Sequence, residues 1–136
     1  MPAALAVAER EGATGAELAT AVALGYEAVV RVAESIQPGH RERGFHATAT
    51  CGPFGAALAA ARLAGLDADA TADALGLAGT QAGGLFEFLA AGSMAKRFHA
   101  GRAAMAGGQA AALAAAGVDA PHTSPGGRAG APRGVG

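Results

Sequence analysis

The sequence predicts an all-α protein, an Ala- and Gly-rich helical bundle, on three observations. Apolar residues recur at three- and four-residue steps, which is the spacing of one face of a helix. No stretch shows sustained alternation of β-branched residues, so no sheet is expected. Small residues recur in pairs such as Ala60-Ala61 and Gly107-Gly108. We therefore expect a core formed by close approach of helix backbones rather than by large side chains.

Start and stop residues mark the first two helices. Thr14 and Glu17 form a Thr-x-x-Glu capping box, which predicts the start of a long helix. Pro38 and Gly39 predict its end, because proline cannot continue a helix. Before it, a proline in the first turn and a glycine after the last turn delimit a short helix over residues 3–10.

A polar loop at residues 41–48 is expected to precede the remaining helices. Gly65 suits the left-handed cap that ends the first of them, and Asp67 or Asp69 can cap the start of the next. The expected helical segments cover residues 53–64, 70–81, 85–90 and 97–116.

The length of 136 residues fits one domain, which we expect over residues 1–120. Residues 121–136 differ in composition: Gly, Pro and Ser dominate there, and Val135 is the one sizeable apolar residue. Such a segment cannot offset the entropy cost of its own ordering. A disordered C-terminal tail is therefore predicted.

Charge and cysteine content exclude several classes of protein. A net charge of −1 argues against a nucleic-acid partner, which would require a basic face. Cys51 is the single cysteine, which favours a reducing cytoplasm, and no charge pattern around it suggests an activated thiol, so it is expected to be a small buried packing residue. Glu9 and Arg10 interrupt the N-terminal apolar stretch, so no secretory leader is expected. The apolar run at residues 103–118 is too weakly hydrophobic for a membrane span, so a soluble protein is expected.

Two polar segments stand out because only 15% of the residues are charged. The first, residues 41–48, contains His46, whose ordinary pKa suits proton transfer near neutral pH. The second, residues 96–102, contains Lys96 and His99, which share one face if the segment is helical. If the segments meet in the fold, they form a cationic pocket rich in histidine.

Each of these residues also has a plainer interpretation. His46 can be a surface histidine at a helix entry. Lys96 near a helix N-terminus would attract a carboxylate, together with the free backbone N–H groups, or it can be a solvated helix start. Arg97 and Arg102 are expected to be solubilising surface residues. No paired cysteines and no HExxH pattern accompany the four histidines, so no metal site is expected.

Several short segments follow one another in order: Gly44-Phe45-His46-Ala47-Thr48, Gly52-Pro53-Phe54-Gly55-Ala56-Ala57, Gly65-Leu66-Asp67 and Lys96-Arg97-Phe98-His99-Ala100-Gly101-Arg102-Ala103-Ala104, with Gly117 after them. As an ordered set they resemble the MmgE/PrpD family. That family includes 2-methylcitrate dehydratase, cis-aconitate decarboxylase and an iminodisuccinate epimerase.

The resemblance implies a cofactor-free lyase or isomerase that acts on small di- or tricarboxylates. It implies a large helical domain, a smaller α/β lid domain and a homodimer. By resemblance, His46 and Lys96 are catalytic residues, and His99 and Thr48 contact the substrate.

Members of the family are several times longer than this chain, so we expect an internal piece of the helical domain. Such a piece is expected to be inactive alone and to expose apolar surface, which favours oligomers. The alternative is a non-catalytic helical remnant that serves in oligomerisation or binding. A weaker option is a helical scaffold without a ligand.

Overall fold

The computed structural model describes residues 1–123, in which seven helices occur and no strand. They are α1 (Pro2–Glu11), α2 (Gly15–Ile36), α3 (Gly39–Glu42), α4 (Ala47–Leu63), α5 (Ala68–Thr80), α6 (Phe88–Ala91) and α7 (Ala95–Ala115). A single antiparallel bridge joins Phe45 to Leu85 within this range. The all-α prediction is confirmed. The predicted disordered tail covers residues 121–136, and residues 124–136 of it lie outside the described residues.

Helix α4 is the centre of the bundle and packs against α1, α2, α5 and α7. Phe54 on α4 is the largest fully buried side chain, and most of the other buried apolar residues are alanines. Cys51 is also fully buried, which confirms its expected packing role. The core therefore draws its cohesion from many small side chains and short distances between helix axes.

Glycine makes the close crossing of α2 and α4 possible. A Cβ atom on Gly55 of α4 would lie 2.5 Å from the carbonyl oxygen of Gly25 on α2. A Cβ atom on Gly25 would lie 2.8 Å from the carbonyl oxygen of Gly55. Both distances are too short for real atoms, so the backbones touch only because neither residue has a side chain. This contact confirms the expectation of close backbone approach.

The capping residues act as the sequence predicts. The Thr14 side chain accepts a hydrogen bond from the Glu17 backbone, and the Glu17 carboxylate accepts one from the Thr14 backbone N–H at 2.8 Å. Asp67, rather than Asp69, caps α5 by accepting from the Ala70 N–H at 2.9 Å. Gly65 has the expected left-handed conformation, with φ of +68°.

Helix α4 begins at Ala47, so the predicted start at residue 53 is wrong. Pro53 lies inside the helix and has no N–H to donate to the Ala49 carbonyl one turn earlier. The N–H of Gly83 donates to that carbonyl instead, at 3.3 Å. The proline is thus tolerated because a loop from elsewhere in the chain uses the oxygen that it leaves free.

Helix α3 lies at the start of the segment that was expected to be a polar loop, and it is too short for a periodic pattern to show. At the other end, the Ala120 N–H donates to the Asp73 carboxylate on α5 at 3.0 Å. The domain boundary at residue 120 stays a prediction. In residues 1–123, none of the helices has both the length and the apolar character needed to cross a bilayer.

Candidate functional site

His46 and His99 meet in the fold. His46 is the N-cap residue of α4, and His99 lies in the second turn of α7. Their Nδ1 atoms are 2.8 Å apart, which is a hydrogen-bond distance, and their ring centroids are 5.0 Å apart. The two polar segments of the sequence therefore form one site, which we call the imidazole pair.

The loop between α5 and α6 holds His46 in place through the backbone. The His46 N–H donates to the Gly84 carbonyl at 2.9 Å, and the Phe86 N–H donates to the Gly44 carbonyl at 2.7 Å. These two bonds flank the bridge between Phe45 and Leu85. The chain is thus held against the loop on both sides of Phe45, immediately before α4 begins.

Gly84 lets this loop lie against both helices of the site. A Cβ atom at this position would be 2.5 Å from the Ala49 Cβ of α4 and 3.2 Å from His99 Cε1 of α7. Any side chain here would push the loop away from the imidazole pair. The Gly83-Gly84 sequence, which predicted only a helix break, therefore has a packing role at the site.

Two phenylalanines form an apolar wall around the imidazole pair. Phe86 and Phe88 present ring edges to His46, with centroid distances of 5.2 and 4.9 Å. Phe88 also meets His99 nearly at a right angle, at 5.2 Å. Arg41 lies over the Phe86 ring, with its guanidinium carbon 5.3 Å from the ring centroid.

This environment lowers the pKa of His46 from its ordinary value of 6.5. Burial among the aromatic rings is the main cause, because it disfavours the charged ring. Charges on His99, Lys96 and His40 lower the pKa of His46 further, in that order. His46 is therefore neutral at neutral pH and has one bare ring nitrogen, as a general base requires.

Lys96 and Thr48 are exposed residues at the starts of the two helices that carry the imidazole pair. Lys96 is in the first turn of α7, three residues before His99, and its charge acts on His46. Thr48 is in the first turn of α4 and lines an apolar groove of about 480 Å³ between α1, α2, α4 and α7. Neither imidazole of the pair nor Lys96 lines that groove. The substrate role of Thr48 stays a prediction.

Sequence reasoning missed three groups around the site. His40 is fully buried, stacks on Phe45 at 5.5 Å, and has an Nε2 atom without a hydrogen-bond partner among the described residues. Arg102, expected at the surface, is half-buried, and its Nη1 atom also has no partner in residues 1–123. The phenylalanine wall is the third group. Burial and loop packing decide these positions, and neither has a local sequence pattern.

In the described part of the chain, no three His, Cys, Asp or Glu side chains come together as a metal site would require. The family model of the MmgE/PrpD N-terminal domain matches residues 1–134. No curated protein matches the chain.

Proposed function

Because the chain belongs to the MmgE/PrpD N-terminal domain family, we propose that it carries part of the site of a cofactor-free lyase or isomerase for small di- or tricarboxylates. 2-Methylcitrate and cis-aconitate represent this substrate class. The observation that supports the proposal is the hydrogen-bonded pair of His46 and His99 beside the cation of Lys96.

The cation and the helix start suit a carboxylate. Lys96 lies in the first turn of a helix of 21 residues, whose dipole adds to its positive charge. An anionic group of the substrate would bind there, and the Thr48 hydroxyl on α4 would donate to a second oxygen. The substrate carbon next to the bound carboxylate would then lie over the imidazole pair.

His46 would act as the acid–base group. A neutral imidazole can take a proton from the carbon next to a carboxylate, and the electron pair left behind moves onto the carboxylate oxygens. Lys96 would stabilise the negative charge that builds up there through its own positive charge. In a decarboxylation, loss of carbon dioxide would leave an electron pair on the carbon, and His46 would pass a proton taken up from solvent to that carbon.

We expect this chain alone to bind such a carboxylate without turning it over. The family resemblance assigns further basic residues to a lid domain, and His46, His99, Lys96 and Thr48 would hold only one side of the substrate. Binding, rather than turnover, is therefore the direct measurement of the proposed function.

The test is titration of the protein with cis-aconitate and with 2-methylcitrate, followed by calorimetry and by amide NMR. We expect chemical shift changes at the starts of α4 and α7, and affinity at least about tenfold weaker in Lys96→Gln. Arg97→Gln is the matched control, because it removes the same charge from the neighbouring exposed position. Equal losses in the two variants, or shift changes confined to other helices, would overturn the proposed function.

The second candidate, a non-catalytic oligomerisation module, is favoured by an apolar patch beside the site. Leu85, Leu89, Met94 and Phe98 are exposed by 63%, 62%, 71% and 67%. Their burial in a homo-oligomer would remove this apolar surface from water. Sedimentation of the protein and of Leu89→Ser over a wide concentration range tests this candidate. Association that the substitution weakens supports it, and a monomer at all concentrations contradicts it.

A further inference from the structure

The contact between His46 and His99 joins two chemically identical atoms. A hydrogen bond between two Nδ1 atoms at 2.8 Å requires a proton on one of them and a lone pair on the other. When both rings are neutral, the ring that donates from Nδ1 must have a bare Nε2. The ring that accepts at Nδ1 must carry its proton on Nε2. The two neutral rings are therefore locked in opposite tautomers.

The outer nitrogens of the pair are available to a ligand. Neither Nε2 atom makes a hydrogen bond within residues 1–123, and neither is among the buried polar atoms that lack a partner there. Both rings are half-buried, with the phenylalanine wall on their inner side. A ligand at the pair would therefore meet one bare nitrogen and one N–H.

We infer that His99 is a second acid–base residue, which sets the tautomer of His46 and exchanges a proton with it through the hydrogen bond between their Nδ1 atoms. The catalytic part of this inference rests on the proposed function. The pair would supply the base and the acid of one reaction at the same time, from two adjacent rings.

The number of protons on the two rings is the same before and after the reaction. In this sequence of steps His46 is the ring that donates from Nδ1, so a proton leaves the substrate carbon and bonds to the bare Nε2 of His46. The proton on His46 Nδ1 moves to His99 Nδ1, and the proton on His99 Nε2 moves to the leaving hydroxyl, which departs as water. Both rings end neutral with their tautomers exchanged. Proton exchange with solvent, or the reverse addition of water, restores the starting tautomers.

The surrounding charges disfavour protonation of His46. Lys96 faces it from α7 and His40 from α3, while Arg41 covers the Phe86 ring beside it. Two imidazolium rings at this distance would repel each other and would have no acceptor for the bond that joins them. The hydrogen bond between the rings therefore requires that one of the two Nδ1 atoms carry no proton.

The experiment is nitrogen NMR of the histidine side chains in the protein labelled with ¹⁵N. We expect a scalar coupling between two Nδ1 nuclei, one carrying a proton and one bare, which only a hydrogen bond between them produces. Absence of this coupling, with both rings in the same tautomer, would overturn the inference. This measurement needs no variant and no substrate.

Two substitutions separate the acid–base role of His99 from a structural one. His99→Phe keeps an aromatic ring but removes the hydrogen bond, so His46 should lose its fixed tautomer and titrate at higher pH. His99→Asn places an amide where Nδ1 was and should restore a hydrogen bond to His46 Nδ1. Identical His46 spectra in both variants would overturn the inference. If the coupling is present but no carboxylate binds, the proposed function is wrong and the hydrogen-bonded pair stands. If a carboxylate binds but the coupling is absent, the inference about the pair is wrong and the proposed function stands.

Discussion

The Nδ1 atoms of His46 and His99 lie 2.8 Å apart, although 53 positions separate the two residues in the chain. The contact depends on how α4 and α7 pack, because each histidine lies near the start of one of these helices. A change in the spacing of the two helices would therefore alter the distance between the two imidazole rings even if both histidines were unchanged. Glycine sets that spacing.

Gly107 on α7 is expected to tolerate no side chain. A Cβ atom there would lie 2.5 Å from the Ala57 nitrogen and 2.6 Å from the Pro53 carbonyl oxygen, both backbone atoms of α4. Gly107→Ala should lower the free energy of unfolding by about 2 kcal/mol, because α7 must move away from α4. Urea denaturation measures this loss.

The adjacent Gly108 is the matched control. A Cβ atom at this position meets nothing within 4 Å. Gly108→Ala should raise the free energy of unfolding by about 0.5 kcal/mol, because alanine restricts the unfolded chain and favours the helix. Equal effects of the two substitutions would show that helix propensity, and not the α4–α7 contact, decides this position.

Phe88 is expected to carry much of the stability of the site wall. It is only 7% exposed and touches both rings of the imidazole pair. Phe88→Ala should lower the free energy of unfolding by about 3 kcal/mol. Phe98→Ala, at a position 67% exposed, should change it by less than about 0.5 kcal/mol. Thermal unfolding of both variants checks the contrast, and a small loss in Phe88→Ala would contradict it.

Acid should destabilise the fold through its buried histidines. Burial lowers the pKa of His40 below its ordinary 6.5, and the pKa of His46 is lowered too. The unfolded chain then binds more protons than the folded one as pH falls below 6.5. The stabilising contribution is thus fully present above that pH and is lost on acidification through the folded pKa values.

Urea denaturation from about pH 7.5 to about pH 5 measures this slope. His40→Phe should make the slope shallower without abolishing it, because His46 still contributes. It should also cost little stability at neutral pH, since it removes a buried nitrogen that lacks a partner in the described range. A wild-type slope in the variant would contradict the assignment to His40. The lowered pKa of Glu17 acts in a separate window, below 4.5.

Cys51 should react with thiol reagents only when the protein unfolds. It is fully buried, and burial raises the pKa of its thiol to about 11, so little reactive thiolate forms at neutral pH. The rate of modification by a disulfide reagent should rise with urea in parallel with the unfolded fraction. Fast modification of the native protein would show that α4 opens locally around this residue.

The sequence predicts most of the helices because their ends carry local chemistry. The Thr14–Glu17 capping box and the Asp67 cap form through contacts three residues apart, so neighbouring letters suffice to find them. The start of α4 is predicted wrongly because it depends on a contact between residues far apart in the chain. Proline normally breaks a helix, and the group that makes Pro53 acceptable comes from a distant loop.

The candidate site also contains residues that the sequence identifies and residues that only the fold identifies. His46, Lys96 and His99 are identified by residue type and by family resemblance, and the structure brings His46 and His99 into contact. Phe86, Phe88 and His40 join them only through the path of the chain after α5 and after α2. No local pattern distinguishes such residues from ordinary core positions, so their part in the site needed the three-dimensional arrangement.

Position 53 decides which partner the Ala49 oxygen has. With proline there, the carbonyl is free to accept from Gly83, and the loop that carries Gly84 stays against His46. Any other amino acid would return an N–H inside the helix that competes for the same oxygen. The hydrogen bond that Pro53 removes from α4 thus leaves an acceptor that holds the loop. If α4 had its full set of backbone hydrogen bonds, the loop would hold the imidazole pair less firmly.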